Sequence, residues 1–334
     1  PVFSSSISSM PKNIMYFSFD EFKDAEIRQV LEVFQQIVEK DLWKEKFLIL
    51  LDEVQKLTNW ENQVKTFYDA FGKTVKIILS GSESLFLHAK SRETLAGRMF
   101  EFVIRPLSFK EFLEFKKMIY SPIGVHEKQL LKAFKGYTLT QGFPELVEVS
   151  DKEVIKKYLI EGIIDKIIYK DIPTLYKIRD IETVKGLLNI LMQQPGQILD
   201  LNQLAKELST SRQSISNYFT YLENAFLVKK LYNYSNNRRK TERKLKKYYS
   251  TIVSVDLTFK EDSTSQSIVF EWLLVNRLNA EFFWRDKYQN EVDVIEAKNE
   301  VKAIEIKYGK IDTKSTLVFM KSFKLKNAAI ISLD

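Results

Sequence analysis

Cysteine is absent from the 334 residues, and histidine occurs only at His88 and His126. The first absence excludes disulfides and thiolate metal centres, and the second argues against histidine-based zinc chemistry or a histidine triad. Any metal must therefore rest on oxygen ligands. Long apolar runs are also missing: the longest, residues 47–51, is the size of a strand and far short of the roughly 20 residues that span a bilayer. The first residues show no basic n-region followed by an apolar h-region, so no secretory signal is read, no membrane is expected, and the cytoplasm is the expected compartment. Glycine is scarce early, with none before Gly72. A phosphate loop needs the pattern G-x-x-x-x-G-K-[ST], whose backbone N–H groups wrap the phosphates. The triplet Gly72-Lys73-Thr74 does not supply it, because position 67 is Phe and Thr74 opens a strand rather than a helix.

What is present describes a folded, multidomain chain. Apolar residues make up 45% of the sequence and charged residues 28%, and the length calls for two or three cores. The net charge of +7 is unevenly placed. Ten Lys or Arg between Lys229 and Lys260 meet only Glu242 and Asp256, a local +8 that leaves the rest of the chain at −1. One concentrated basic stretch points to a polyanion such as DNA, with a solvated loop as the plainer explanation.

Just before that stretch, Leu201, Leu204, Ala205 and Leu208 mark the inner face of a short helix. Ser209, Thr210 and Ser211 form a turn with an N-cap candidate, and Ile215, Tyr218, Phe219 and Leu222 repeat at helical spacing. Arg212, Gln213, Ser216, Asn217 and Thr220 are then left on the outer face, where they can reach phosphates or base edges. This pattern resembles winged helix-turn-helix domains, in which residues 238–247, including Arg238, Arg239 and Lys240, would form the wing. A helical hairpin used only for packing is the alternative.

Near the C-terminus, residues 291–307 read as two strands joined by a turn at 298–300. With the turn centred on Asn299, Asp293 faces Glu305 across the ladder, and period-two geometry puts Lys307 on the face of Glu305. Two carboxylates and an ammonium suit Mg²⁺-dependent hydrolysis of a phosphodiester. The spacing resembles the Asp…Glu-x-Lys motif of the restriction-endonuclease-like superfamily. From Ile268 onward the expected order is αβββαβ, the core of that superfamily. The resemblance implies a third acid at Glu271 on the first helix. A charged surface hairpin is the plainer alternative.

The N-terminal third shows four apolar runs expected as parallel strands: NIMYFSFDE, FLILLDEVQKL, VKIILSGSES and FEFVIRPLSF. The second ends in Asp52-Glu53 and the third in Ser80-Gly81-Ser82. Four apolar residues before an acid pair match a Walker B strand, whose aspartate holds Mg²⁺ and whose glutamate polarises water. Ser80 stands where a sensor residue would meet a γ-phosphate, and Arg98 where an arginine finger is expected. With Pro106 to Phe112, Gln141 to Glu145 and Tyr169 to Ile172, these pieces resemble AAA-related, archaeal-rich P-loop ATPases that carry a winged helix and an endonuclease-like C-terminal domain.

The resemblance implies an α/β multidomain fold. Its parts are a parallel-sheet ATPase-like core over 1–115, a helical lid over 116–190, a winged helix-turn-helix over 191–250 and the αβββαβ domain over 251–334. It also implies ATP and Mg²⁺ as cofactors, DNA as partner and assembly into homo-oligomers. In that family the phosphate loop precedes NIMYFSFDE, so it is expected either upstream of Pro1 in a longer polypeptide or lost in a degenerate copy, and in both cases ATP hydrolysis by this chain is not expected. The competing expectation is a nonenzymatic DNA-binding regulator or scaffold built on remnants of both sites.

Overall fold

The computed structural model describes residues 11–22, 25–81, 93–297 and 300–333, and divides the chain into two compact units, 1–103 and 104–334. The first unit carries a sheet of three parallel strands in the order β1 (Ile14–Ser18), β2 (Phe47–Asp52), β3 (Val75–Leu79). Helices α1 (Ile27–Val38) and α2 (Trp60–Phe71) connect them and close a core around Phe19, Ile27, Ile49, Leu51 and Trp60. Parallel strands need such crossovers, and β2 reads as an unbroken apolar run because it is the middle strand.

The fourth expected strand does not form. Residues 99–105 have no regular structure, and Phe100, Phe102 and Ile104 are 85%, 87% and 95% exposed. An alternating apolar segment becomes a strand only when a neighbour satisfies its backbone, and β3 pairs with β2 alone among the described residues. Gly72 caps the C-terminus of α2, consistent with the absence of a phosphate loop there.

The second unit is organised by one seven-stranded sheet in the order β10-β9-β8-β7-β5-β6-β4. Its helical part comprises α3 (Phe109–Phe115), α4 (Ile123–Thr140), a run from Lys152 to Leu175 with π turns, and α5 (Ile181–Gln193). Then follow β4 (Gln197–Leu199), α6 (Leu201–Glu207), α7 (Arg212–Asn224), β5 (Val228–Asn233), a short α8 (Arg238–Arg243) and β6 (Lys246–Ser250). The C-terminal part is α9 (Ser263–Arg277), β7 (Phe282–Arg285), β8 (Glu291–Ala297), β9 (Val301–Tyr308), α10 (Lys314–Phe323) and β10 (Ala328–Leu333).

The chain is thus a mixed α/β, multi-unit architecture with parallel and antiparallel sheets. The expected junctions at 190/191 and 250/251 both fall inside the second unit. Strand β5 pairs in parallel with β7 through Tyr232↔Phe282 and Asn233↔Phe283, so the hairpin after α7 and the C-terminal strands form one continuous sheet. Backbone pairing, which sequence composition does not reveal, joins them.

Candidate functional site

Strands β8 and β9 pair from Ala297↔Val301 up to Val294↔Ile304. One step further, Asp293 lies opposite Glu305 in this register, and there the ladder gives way to a side-chain contact. Asp293 Oδ2 accepts a hydrogen bond of 2.8 Å from the Ile306 amide. On its other edge β8 carries a register shift, with Phe282↔Ile295 but Trp284↔Val292. One extra residue is accommodated on β8 beside Asp293, the kind of bulge that re-aims a side chain. The turn residues 298 and 299 lie outside the described residues.

The other expected members converge here. Glu305, 2% exposed, accepts from Thr316 Oγ1 at 2.8 Å, and its second oxygen lies 2.6 Å from Lys307 Nζ. Glu271 comes from α9 and accepts from Tyr249 OH at 2.6 Å. Asp293 is 9% exposed. Burial pushes its carboxyl up to about 7, and the charges of Glu271 and Glu305 push in the same direction. The Lys307 ammonium is desolvated, yet its bond to Glu305 and the charge of Asp293 hold it above the usual lysine range.

Sequence reasoning missed three participants. Lys247, counted with the exposed basic stretch, is buried, and its Nζ lies 2.7 Å from Glu271 Oε1 and 2.6 Å from Glu291 Oε1. Tyr249, two residues along β6, joins Lys247 at Glu271, and Glu291 opens β8. Burial disfavours the Lys247 ammonium, but Tyr249, Glu271, Glu291 and Asp293 outweigh it and raise Lys247 well above its ordinary value. Burial likewise works against ionised Glu271, and Lys247 reverses the balance and keeps it below the usual range. The available signal was the alternation in Lys247-Tyr248-Tyr249, which puts Lys247 and Tyr249 on one face.

The basic stretch is therefore not one continuous surface. Lys229 bonds Asn279, Lys230 pairs with Glu223, Lys244 bonds Asn233 and the Tyr234 carbonyl, and Lys247 enters the carboxylate cluster. Arg239, Lys240 and Lys260 remain exposed, and the side chains of Arg238 and Arg243 lie outside the described residues. Residues 238–247, expected as the wing, lie between the antiparallel strands β5 and β6 and consist of α8 and the start of β6. Asn237 caps α8 through Lys240 N, and that local hydrogen bond favours a helical turn over an extended tip. The helix pair itself has the expected form: Ser211 caps α7, and Ile215, Tyr218, Phe219 and Leu222 are buried. Arg212 and Gln213 are exposed, and half-buried Asn217 accepts a hydrogen bond from Gln213 at 2.9 Å.

In the first unit, Ser18↔Asp52 ends the β1–β2 ladder and the Ser80 hydroxyl donates to Asp52 Oδ1. Tyr16 OH donates to the other Asp52 oxygen at 3.0 Å. Glu53 turns away through a left-handed backbone, φ 54°, and its carboxylate accepts from Gln55 at 2.6 Å. Arg98 is paired with Asp69 at 3.0 Å rather than with either acid. Ser82 lies outside the described residues. Asp52 and Ser80 could touch a hydrated cation, but the described residues include no glycine-rich cradle of amides to bind the phosphates of ATP.

Among the described residues, no three carboxylate or histidine side chains are grouped closely enough to form a metal cage. What the second unit offers is a two-carboxylate arrangement, Asp293 and Glu305. Their donors are hard oxygens, and burial raises the Asp293 carboxyl, with the charges of Glu271 and Glu305 adding to that rise. That chemistry fits a hard divalent cation.

Residues 2–113 match the model of the AAA domain family, and residues 131–254 match a domain of unknown function, DUF8612. The chain is 30% identical over 230 residues to an uncharacterized protein of Haemophilus influenzae, covering 67% of this chain and 55% of that one. It is 35% identical over 196 residues to an uncharacterized protein of Methanocaldococcus jannaschii, covering 56% and 43%. The chain thus spans about half the length of the curated relatives it matches. Solved variants of Thermotoga maritima RuvB align over 65% of the chain and 72% of theirs at 14% identity, with a TM-score of 0.30. The likeness to AAA domains is that of residues 2–113. No helix among the described residues is long and apolar enough to cross a membrane.

Proposed function

We propose that this chain is a DNA-binding protein of AAA-related type whose C-terminal αβββαβ segment hydrolyses phosphodiesters with a divalent cation. The observation that carries this reading is the convergence of Asp293, Glu305 and Lys307, with Glu271 beside them, where β8 and β9 part. Asp293 and Glu305 would hold Mg²⁺ or Mn²⁺. The bound ion would polarise a phosphate oxygen and ease the formation of hydroxide. Lys307 orients the attacking water and stabilises charge developing on the phosphate. Glu271 assists from α9. Arg212, Gln213 and Asn217 of α7, together with Arg238, Arg239 and Lys240, would take the DNA backbone in the manner of a winged helix.

Asp52 and Glu53 retain a Walker B form, but with no amide cradle among the described residues they do not support ATP hydrolysis. The deep burial of Asp293 and Glu305 favours a second reading, a nonenzymatic DNA-binding regulator or scaffold that keeps the fold without the chemistry. Cleavage of linear, branched and single-stranded DNA by wild type and Asp293→Ala, with and without Mn²⁺, decides between them. Metal-dependent cleavage abolished in the variant supports the first reading. A silent wild type that binds no cation at these carboxylates leaves the second.

A further inference from the structure

The carboxylate cluster contains a cation that belongs to the chain. Lys247 reaches it from β6, a strand of the hairpin that follows the helix pair, and not from the α9–β10 segment that carries the acids. Its ammonium bridges Glu271 on α9 and Glu291 on β8, at 2.7 and 2.6 Å. The side chain is 6% exposed and lies over the rings of Tyr249 and Phe283, at 5.5 and 6.0 Å from their centroids. Arg285 approaches the other Glu291 oxygen at 3.5 Å, and Lys307 holds Glu305. Four carboxylates therefore face three side-chain cations. A buried ammonium with two short carboxylate contacts is fixed in position, because leaving either acid unpaired at that depth is strongly unfavourable.

We propose that Lys247 is the positioning residue and built-in counter-cation of this site: it holds Glu271 and Glu291 in place and limits the pocket to one divalent cation. The inference rests on reading Asp293 and Glu305 as cation ligands. Without the Lys247 charge, Glu271 and Glu291 each lose a short cation contact and keep only Tyr249 and Arg285 against them, and the site gains one unit of negative charge. Removal of one positive charge at short range in a poorly solvated site strengthens cation binding. A lysine with only a packing role would leave cation affinity unchanged or, by loosening the pocket, lower it.

The test uses the full chain and Mn²⁺ as the probe, with binding followed by titration calorimetry and unfolding followed with EDTA or with Mn²⁺. Lys247→Met keeps the length and removes the charge. It should bind Mn²⁺ about tenfold or more tightly than wild type, or bind a second ion. It should unfold at a lower temperature than wild type in EDTA, and Mn²⁺ should raise its midpoint more than it raises that of wild type. Lys247→Arg keeps the charge and should bind one ion with affinity close to wild type. Should Lys247→Met fail to fold, Lys247→Met with Glu271→Gln removes the ion pair from both ends. That double variant should fold and bind Mn²⁺ more tightly than Glu271→Gln alone, because the charge facing Glu291 is gone. Wild type that binds Mn²⁺ through Asp293, together with a Lys247→Met variant of equal or weaker affinity and unchanged stoichiometry, overturns the proposal alone. Absence of Mn²⁺ binding in every variant overturns both the proposal and the metal-site reading beneath it.

Discussion

The two acidic sites differ first in depth. At the tip of β2, Asp52 and Glu53 are half exposed; Tyr16, Ser80 and Gln55 share their oxygens, and Lys56 Nζ lies 3.8 Å from Glu53. In the second unit Asp293 and Glu305 are buried, and the nearby carboxylates are answered by ammonium groups from two strands. Water can solvate the first pair, and the Lys56 contact only adds to that solvation. Burial removes that option in the second, where every charge must find a partner or shift its protonation. The same residue type therefore produces a solvated strand end in one unit and a strongly coupled site in the other.

The comparison can be broken most sharply at Asp293. Asp293→Ala should abolish metal-dependent DNA cleavage, the largest effect expected of any single substitution in either site, and equal cleavage by variant and wild type would assign the activity elsewhere. Lys307→Ala should slow cleavage by about 10² to 10⁴ while sparing Mn²⁺ binding, as expected of a group acting in proton transfer. A parallel drop in Mn²⁺ binding would instead make Lys307 a partner that only orders Glu305.

Charges that stay in solvent should behave differently again. Replacing Arg239 and Lys240 with Ala should lower the slope of log affinity for duplex DNA against log salt by about 2, at roughly 0.9 for each phosphate no longer neutralised. An unchanged slope would move the DNA surface away from α8. Lys229 provides a milder case of burial. Desolvation, helped by the Arg105 charge, lowers it to about 8. Between pH 8 and the usual lysine range the unfolded chain binds more protons than the folded one, so stability should rise with pH there. Urea titrations of wild type and Lys229→Met should show that rise only in wild type. The smallest effect belongs to the exposed acids: Glu53→Gln should leave ATP turnover at the same negligible level. Robust hydrolysis abolished by this substitution would show that the first unit needs no glycine loop.

Local pattern was sufficient for the C-terminal hairpin. Residues 291–297 and 301–308 form strands with the expected bounds, because alternation and a short turn encode both the element and its register. The helix pair was equally legible, since the Ser211 cap and the 3.6-residue apolar spacing act within a few turns. The segment 99–105 misled for the opposite reason. Its alternation describes a strand, but a strand also requires a partner, and no local pattern supplies one.

The sequence by itself excluded thiolate ligands, placed no glycine among residues 1–71, and put Asp293, Glu305 and Lys307 in one hairpin. Only the tertiary structure decided what surrounds them. Pairing of β5 with β7 carries the preceding hairpin into the C-terminal sheet, and with it Lys247 into contact with acids 24 and 44 residues away. That contact depends on the order of strands across the sheet, a non-local choice made by burying both faces at once, whereas charge and spacing along the chain mark Lys247 only as one more cation in a basic stretch.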